Sequence, residues 1–508
     1  MRGTLLSRRQ LLGGFACGAL AAERKPNILV IVADDQGYAD LGVQGAKDIP
    51  TPNIDSIARK GVRFTDGYVS CPICSPTRAG IQTGRYQNRF GHETNPGPEA
   101  LAASNFGMPR SETTIAERLK TVGYATGLVG KWHLGYRPEL TPTERGYSGF
   151  FGFLGGAHEY LHNPQARRND LFRGTTPIVE KSYLTEAFGR EASAFIERHR
   201  ETPFFLMVTF NAIHTPQQAT EKYLQRFPDI SDPIRKNCAA MLSAMDDAVG
   251  GILSTLRGHG LEKDTLIFYV SDNGGPTASN GSRNAPFSGG KTMLLEGGIR
   301  VPFLAQWPGV IPAGLTYSKP VISLDIHPTC LAAAGYREPV SAEKSLDGVD
   351  LLPYLSGKQQ GVPHEVLYWR FLPQYAIRKG NYKLLRMGGR EQLFDLASDP
   401  GEKHDLLKEK AEVAAELRGL LDRWDSKLAP PAWEYPIDAM SGEAGAARRP
   451  RQAGTVEERF RAMDLDGDGK LSPGELRNQD LFKLLDQNGD GAVTLEEARG
   501  AFGARARP

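Results

Sequence analysis

The sequence has few cysteines, almost no net charge and no long hydrophobic segment beyond its N-terminus. Five cysteines in 508 residues cannot build the dense disulfide framework of a small secreted domain, although the four after residue 22 permit single disulfides. A formal net charge of +2 gives no electrostatic case for binding nucleic acid or an acidic membrane surface. No later segment is apolar for long enough to span a bilayer. We therefore expect a large globular protein with no nucleic-acid partner and no transmembrane segment.

The first 22 residues have the composition of a targeting signal. Arginines precede the apolar run of residues 11–22, which is too short for a mature membrane-spanning helix. The sequence "SRRQLL" is a twin-arginine pattern, and residues 19–21 form an A-x-A cleavage site. These features predict export by the bacterial twin-arginine machinery to the periplasm or the extracellular space. Attachment of a lipid at Cys17 is the alternative, although Gly14 stands where a leucine is usual.

Three unbroken apolar runs predict strands that are buried on both faces. They are "PNILVIVADD", "PFFLMVTFNAIHTP" and "DTLIFYVSDNGG", and each ends in polar residues. Helical patterns lie between them: one has Thr51 as its N-cap and stops at Gly61, and another opens at Ser111. The predicted fold class is α/β, with a large, mostly parallel or mixed sheet sandwiched by helices. In such a fold, functional residues gather at the carboxyl ends of the strands.

The pattern changes after residue 365, which ends the predicted catalytic domain of residues 23–365. Short strands and turns follow and predict a smaller antiparallel sheet, with an amphipathic helix at about residues 408–428. We interpret residues 366–428 as a C-terminal subdomain packed on the first. Residues 429–454 are rich in proline, glycine and alanine and lack periodicity, which is typical of a linker.

Two calcium-loop patterns lie within residues 455–508 and resemble a pair of EF-hands in a small all-α module. Each loop offers oxygen ligands at the spacing that a Ca²⁺ ion needs, with a glycine at its sharp turn. Leu471 and Val493 occupy the position at which paired loops join by a short β-bridge. The alternative is a pair of decayed loops that bind nothing. The predicted ligands are Asp464, Asp466, Asp468, the Lys470 carbonyl, Ser472 and Glu475 in the first loop, and Asp486, Asn488, Asp490, the Ala492 carbonyl, Thr494 and Glu497 in the second.

Acidic side chains follow two of the predicted buried strands. Asp34 and Asp35 end the first, and Asp272 and Asn273 end another. Carboxylates gathered at one edge of a sheet repel one another unless a cation holds them, and these oxygen donors suit Ca²⁺ or Mg²⁺. Taken singly, each pair is also compatible with an ordinary helix cap or turn.

Basic groups recur near the same predicted edge. Lys131 and His133 lie two residues apart, so on an extended segment both side chains point the same way. His214 follows a predicted strand, and Lys291 lies in a glycine-rich segment. Each alone is compatible with a surface lysine or a structurally bonded histidine. Together they offer positive charge and proton transfer around an anion.

Cys74 is predicted to begin a helix. It precedes Ser75 and Pro76, a typical helix opening, so it would lie where backbone N–H groups attract anions. Arg78 follows one turn later on the same face. The residues alone leave open whether Cys74 is a packed thiol, a disulfide partner, a metal ligand or a catalytic group.

The segment "CSPTRAGIQTGR" resembles the signature of type I sulfatases, in which proline and arginine follow a cysteine at fixed offsets. Further segments, including "TIAERLKTVGYATGLVGKWHLG" and "EGGIRVP", are similar to the family in the same order within residues 26–428. The resemblance implies an alkaline-phosphatase-like α/β core. It also implies that a maturation enzyme oxidises Cys74 to formylglycine. The implied ligands of an active-site Ca²⁺ are Asp34, Asp35, Asp272, Asn273 and residue 74.

The family's mechanism assigns a role to each basic residue. One hydroxyl of the hydrated formylglycine would attack sulfur and displace the alcohol. Ca²⁺, Lys131 and Lys291 would stabilise charge on the sulfuryl oxygens, while Arg78 holds the diol. His214, with Lys291, would protonate the leaving oxygen. His133 would deprotonate the second hydroxyl, so that sulfate leaves and the aldehyde is regenerated.

The substrate is less well defined by the sequence. Arg89, His92 and Glu93 follow the nucleophile helix in "YQNRFGHETNPG", and His158 lies in "GGAHEYLHN". These four residues are candidate substrate contacts, and ordinary loop packing explains them equally well. The pattern "FGHExNPG" resembles exported bacterial sulfatases that act on polysaccharides, which favours a sulfated carbohydrate over a small aryl sulfate.

Two other functions remain open at this point. A phosphodiester or phosphonate hydrolase of the same superfamily would keep the fold and change the chemistry. A non-catalytic, secreted, calcium-dependent glycan-binding protein would keep Cys74 as a thiol.

Overall fold

The computed structural model describes residues 24–97, 106–164, 171–338 and 342–433, together with residues 457, 460, 461, 464, 468–473, 475, 482, 485, 486 and 488–503. The predicted signal peptide, Cys17, most of the predicted linker and Asp466 lie outside the described residues. The described residues up to Met387 and from Glu391 to Trp433 belong to one compact unit, and those from Glu457 onward belong to a second.

The strands of the larger unit are β1 (Asn27–Ala33), β2 (Val62–Phe64), β3 (Gly67–Tyr68), β4 (Ala125–Lys131), β5 (Gly149–Phe153), β6 (Leu171–Arg173), β7 (Thr176–Ile178), β8 (Phe204–Thr209), β9 (Thr265–Ser271), β10 (Phe303–Gln306), β11 (Leu315–Tyr317), β12 (Val321–Ile322), β13 (Val366–Phe371), β14 (Gln374–Lys379), β15 (Tyr382–Met387) and β16 (Arg390–Asp395). The second unit has β17 (Lys470–Leu471) and β18 (Val493–Thr494).

The helices are α1 (Pro52–Lys60), α2 (Cys74–Thr83), α3 (Ile115–Thr121), α4 (Leu184–Arg198), α5 (Glu221–Leu224), α6 (Pro233–Gly258), α7 (Thr277–Asn280), α8 (Glu296–Ile299), α9 (Ile326–Ala333), α10 (Leu352–Leu355), α11 (Ala411–Asp425) and, in the second unit, α12 (Leu495–Gly503). Of the helices in the described ranges, none has the length and hydrophobicity that crossing a membrane requires.

A ten-stranded sheet forms the centre of the larger unit, in the order β11-β2-β10-β9-β1-β8-β4-β5-β6-β7. The five strands from β9 to β5 run parallel to their neighbours, and β10 and β6 join them in antiparallel orientation. The three apolar runs are therefore adjacent strands: β1 lies between β8 and β9. The predicted α/β class with a mixed, mostly parallel sheet is confirmed. Because these strands are parallel, their carboxyl ends meet at one edge.

Strand β1 is buried on both faces, as its unbroken apolar sequence predicts. Val30 and Val32 belong to a core cluster with residues of α2, α3 and α9. Leu29 and Ile31 point to the opposite face and pack with residues of α1, α4 and α6. Each fully buried aliphatic side chain contributes about 1.5–3 kcal/mol to folding, so the sheet is held by both helical layers.

The start of α3 differs from the prediction. The helix begins after Thr114 rather than near Ser111. Thr114 Oγ1 accepts a hydrogen bond from Glu117 N at 3.0 Å, and Glu117 Oε2 accepts one from Thr114 N at 2.7 Å. This reciprocal capping box satisfies two backbone donors that a start at Ser111 would leave without those partners.

The smaller sheet of the larger unit has the order β13-β14-β15-β16, and α11 packs against β13, β14 and β15. Its apolar residues join the same core cluster as α2. A buried ion group connects it to α8: Lys383 Nζ lies 2.9 Å from Glu296 Oε1 and 2.8 Å from Glu402 Oε1, and none of the three side chains is exposed. Burial raises the pKa of Glu402 to about 7, although Lys383 opposes that shift.

Replacement of Lys383 by methionine is expected to lower the free energy of unfolding by about 3–5 kcal/mol, because it leaves two buried carboxyl groups without their shared cation. Denaturant unfolding measures the difference. Lys379→Met is the matched control: its ion pair with Glu416 lies on the surface of the same subdomain, so the unfolding midpoint should hardly move. Equal loss in both variants would show that the buried ion group does not stabilise this junction.

The second unit contains the two predicted calcium loops. β17 and β18 pair antiparallel, with Leu471 opposite Val493, which confirms the short β-bridge between the loops. Gly469 and Gly491, at the predicted sharp turns, have φ values of 79° and 85°. These are left-handed conformations that glycine adopts without strain. A small apolar core supports the pair: Phe460, Leu471, Phe482, Leu485, Val493 and Ala498.

Candidate active site

Polar side chains from four parallel strands meet at the carboxyl edge of the large sheet. β1 ends directly before Asp34, and β9 ends directly before Asp272. β4 ends in Lys131, and β8 leads into the segment that carries His214. Cys74 is the first residue of α2, as the sequence predicts. The fold therefore brings the predicted catalytic and metal residues of this edge together.

Three cationic side chains bind the three carboxylates of this edge. Lys131 Nζ donates to Asp34 Oδ2 at 2.6 Å, and neither side chain is exposed. Arg78 binds Asp272 Oδ2 through Nε at 2.9 Å and through its terminal nitrogen at 2.7 Å. The third pair is Lys291 Nζ and Asp35 Oδ2, at 2.8 Å. These buried charges are balanced within the protein, as burial requires.

Asp35 lies at the centre of this arrangement. Its backbone has a φ of 61°, an uncommon conformation for a residue with a side chain. Its amide donates to Asp272 Oδ1 at 3.1 Å, and its Oδ1 accepts from Asn273 Nδ2 at 2.7 Å. His214 Nε2 is 3.6 Å from Asp35 Oδ2. The Asp35 carboxylate thus contacts Asn273, Lys291 and His214, while its backbone amide binds Asp272.

Burial and neighbouring charges shift the pKa values of these carboxyl groups in opposite directions. Burial alone would raise the pKa of Asp34, but the charges of Lys131, His214 and Arg78 hold it well below its usual range. Burial, with the nearby charge of Asp34, raises the pKa of Asp272 to about 6. A further positive charge at this edge would favour the ionised form of both.

The donors at this edge fit a hard divalent cation. Four candidate ligand atoms lie within 4.8 Å of one another, on Asp34, Asp35, Cys74 and His214. Asn273 Oδ1 is buried and accepts no hydrogen bond from the described residues. A buried carbonyl oxygen without a partner, set beside carboxylates, is the kind of donor that Ca²⁺ binds. The set Asp34, Asp35, Asp272 and Asn273 could therefore hold such an ion.

Cys74 is fully buried in this acidic surrounding. Its Sγ lies 3.5 Å from Asp34 Oδ1 and 3.9 Å from Asp35 Oδ1. Burial, with the charge of Asp272, raises the pKa of the Cys74 thiol far above its ordinary value. A nucleophilic cysteine needs a lowered pKa, because the thiolate is the reactive form. Cys74, like Cys71, Cys238 and Cys330, forms no disulfide.

His133 occupies a constrained position at this edge. Its φ is 60°, so the extended geometry expected for residues 131–133 does not continue through it. A Cβ atom on Gly156 would lie 2.7 Å from His133 Cε1, so glycine leaves room for the ring. Burial, reinforced by Lys131, lowers the pKa of His133 well below 6.5. Its buried Nδ1 has no hydrogen-bond partner among the described residues, so a neutral imidazole is available to accept a proton there.

His214 is held in a defined tautomer. Its Nδ1 lies 2.6 Å from the carbonyl oxygen of Thr215, which can only accept, so Nδ1 carries a proton. Tyr160 Oη donates to the His214 carbonyl at 2.8 Å. Burial, with the charge of Lys291, lowers the pKa of His214. A proton on Nε2 would therefore be given up readily.

The four predicted substrate contacts are engaged within the protein. Arg89 binds Asp347 at 2.6 Å, and Glu93 pairs with Arg370. His92 is completely buried. His158 is partly buried, with Nδ1 2.7 Å from the Glu159 carbonyl oxygen, and it lines a cavity of about 410 Å³. Their substrate contacts stay predictions.

Two residues that support the site, Ser75 and Gln374, were not predicted from the sequence. Ser75 bonds both His92 and the backbone of His133. Gln374, on β14, donates from Nε2 to the Thr292 carbonyl at 2.8 Å and accepts from Leu294 N at 2.9 Å, which fixes the segment next to Lys291. Ser75 directly follows Cys74, so its place in the sequence could have indicated a role at the site. Gln374 lies in another subdomain, and nothing near it in sequence pointed to the site.

The comparisons with known proteins cover most of the chain. Residues 26–336 match the family "Sulfatase", residues 289–427 match "N-sulphoglucosamine sulphohydrolase, C-terminal", and residues 456–478 and 479–497 each match "EF hand". N-acetylgalactosamine-6-sulfatase of Mus musculus is 35% identical over an alignment of 410 residues that covers 75% of this chain and 76% of that protein. Arylsulfatase A of Homo sapiens is 34% identical over an alignment of 455 residues that covers 78% of this chain and 86% of that protein.

A solved structure of another protein is also similar to this chain over most of its length. The crystal structure of "Ps i-CgsB in complex with k-i-k-neocarrahexaose" superposes with a TM-score of 0.77 and 36% sequence identity. The match covers 82% of this chain and 96% of that chain.

Proposed function

Since the chain belongs to the sulfatase family and is a sulfuric ester hydrolase, we propose that it hydrolyses sulfate esters on a carbohydrate, with residue 74 acting as formylglycine beside an active-site Ca²⁺. The carbohydrate assignment is supported by relatives that are named as an N-acetylgalactosamine-6-sulfatase and as a complex with a neocarrahexaose. The single observation that carries the proposal is the position of Cys74, buried among three carboxylates and three cations at the carboxyl edge of the sheet.

The burial of Cys74 and the raised pKa of its thiol support the proposal that it is oxidised to formylglycine. A thiol whose pKa burial raises is a poor nucleophile, yet this one occupies the position that the reacting group needs. As formylglycine, residue 74 would present the two hydroxyls of a hydrated aldehyde instead. One would displace the alcohol from sulfur, and loss of the proton from the other would release sulfate. The partner implied is a formylglycine-generating maturation enzyme.

The cationic and imidazole side chains have roles that fit their contacts. Lys131, Lys291 and Arg78 concentrate positive charge where the anionic ester would bind. His214, whose Nε2 faces the same edge beside Asp35, would donate a proton to the leaving oxygen after Nε2 has itself been protonated. His133, neutral and buried, would accept the proton from the second hydroxyl. When bound by Asp34, Asp35, Asp272 and Asn273, Ca²⁺ would supply Lewis-acid stabilisation of the sulfuryl oxygens.

The proposal extends to calcium in the second unit and to location. The paired loops are proposed to bind up to two further Ca²⁺ ions. Within each loop, a carboxylate accepts a hydrogen bond from the glycine at the sharp turn: Asp464 from Gly469 N at 3.0 Å, and Asp486 from Gly491 N at 3.0 Å.

The N-terminal pattern supports export by the twin-arginine machinery to the periplasm or the extracellular space.

The matured protein is expected to hydrolyse a sulfate ester at least about 100-fold faster, in kcat/KM, than the phosphate ester of the same alcohol, because its transition state carries less negative charge for this balanced site to neutralise. Initial rates on matched pairs of aryl esters, followed by sulfated oligosaccharides, measure the preference. A strong preference for phosphate would instead favour a phosphodiester or phosphonate hydrolase of the same superfamily.

A further inference from the structure

The loop that follows the nucleophile helix packs against the first turn of that helix. His92, which the sequence makes a candidate substrate contact, has no solvent exposure. Its ring packs against Trp433, at 4.8 Å between ring centroids. Gly91 accepts a hydrogen bond from Ala432 N at 2.9 Å. The residues around 432, predicted as part of a linker, therefore cover the loop and separate the His92 ring from solvent.

The hydrogen bonds of His92 lead directly to the catalytic groups. His92 Nε2 is 2.7 Å from Ser75 Oγ, and Ser75 Oγ is 2.6 Å from the carbonyl oxygen of His133. A carbonyl oxygen can only accept, so the single hydroxyl proton of Ser75 goes to His133. His92 Nε2 must then carry the proton that Ser75 Oγ accepts. The chain of donors is fixed: His92 to Ser75 to the backbone of His133.

The same loop also binds the first turn of the nucleophile helix. Asn95 Oδ1 accepts from Ser75 N at 3.0 Å. The residue before the helix, Ile73, supplies no side-chain cap, so Asn95 provides that acceptor from outside the helix. Ser75 is thus bound at both its amide and its hydroxyl. Because it follows residue 74 directly, the loop restricts where residue 74 can lie relative to His133.

We propose that His92 is a positioning residue: through Ser75 it fixes the distance between residue 74 and His133, and it does not contact substrate. The proposal rests on the proposed function of residue 74 and His133. These groups act in succession on one bound ester, so a small displacement of either slows the reaction without weakening substrate binding.

The test compares His92→Phe, Ser75→Ala and the double variant with the wild type, on a small aryl sulfate and on a sulfated oligosaccharide. Mass spectrometry of the peptide that contains residue 74 gives the matured fraction, and every rate is divided by it. We expect kcat to fall on the order of 10–100-fold with KM within about twofold of wild type. The double variant should be no slower than the slower single variant, because both break the same chain of contacts. His92→Gln, which keeps a donor, should recover part of the lost kcat.

His327, on α9, offers a matched control because it also contacts the nucleophile helix. It has no solvent exposure, its Nδ1 is 2.9 Å from the carbonyl oxygen of Gln82 in α2, and burial lowers the pKa of both histidines to about 3. His327→Phe should lower the unfolding midpoint as His92→Phe does, but leave kcat unchanged.

Three results would overturn the proposal. An increase in KM with unchanged kcat would make His92 a substrate contact. Equal effects of His92→Phe and His327→Phe on kcat would make His92 purely structural. Multiplicative losses in the double variant would show that His92 does not act through Ser75. If His92→Phe fails to fold, the kcat and KM of Ser75→Ala and His92→Gln still test the proposal. A wild-type protein without sulfatase activity would reject the proposed function instead.

Discussion

Replacement of Cys74 by alanine is expected to abolish turnover of sulfate esters, by about 10⁵-fold or more, because no other group of the site can take the place of the reacting residue. The substitution shortens one small buried side chain, whose cysteine Sγ lies 3.5 Å from Asp34 and 3.9 Å from Asp35. Initial rates measure the loss, and thermal unfolding shows whether the fold persists. The unfolding midpoint should change by only a few degrees.

Cys71→Ala is the matched control for this experiment. Cys71 is also buried, free and three residues away, but it takes no part in the proposed chemistry. Its variant should keep wild-type kcat and lose a similar, small amount of stability. Turnover retained in Cys74→Ala would refute the mechanism, and activity lost equally in both variants would point to a packing effect.

Replacement of Asp35 by asparagine is expected to lower kcat by about 10³-fold and to raise the calcium concentration needed for half-maximal activity. The Asp35 carboxylate contacts Lys291, Asn273 and His214, so its charge holds these three side chains in place. Asparagine keeps the shape and tolerates the φ of 61°. Activity measured in calcium buffers, after chelation and readdition, gives both quantities.

The calcium loops of the second unit need a separate control. Glu475→Gln and Glu497→Gln together remove one predicted ligand from each loop, so calorimetry should detect fewer bound Ca²⁺ ions while kcat stays at the wild-type value. If that double variant lost activity while Asp35→Asn stayed active, the activity would depend on Ca²⁺ bound in the loops rather than at the active site.

Much of the fold follows from hydrophobic pattern alone. The runs that became β1, β8 and β9 are apolar at every position because both faces of the sheet are covered by helices. Parallel packing then places the polar residues after each run at one edge. That rule is enough to bring Asp34 and Asp272 together across about 240 residues of sequence.

The remaining features depend on contacts that are distant in sequence or on backbone geometry. The left-handed φ of His133 is uncommon for a residue with a side chain, so the sequence predicted an extended segment instead. The burial of His92 depends on Trp433, more than 300 positions later, in a segment whose composition is typical of a linker. The start of α3 was shifted by three residues because the capping box at Thr114 competes with Ser111.

The family is established by the match of residues 26–336 and by relatives that are 34–35% identical over most of the chain. The proposed mechanism depends on the chemical state of residue 74. It is tested most directly by mass spectrometry of the peptide that contains residue 74, from protein purified from its native host. We expect a peptide in which an aldehyde, or its hydrate, replaces the CH₂–SH group, in a fraction that tracks specific activity. An active preparation in which residue 74 is entirely cysteine would contradict it.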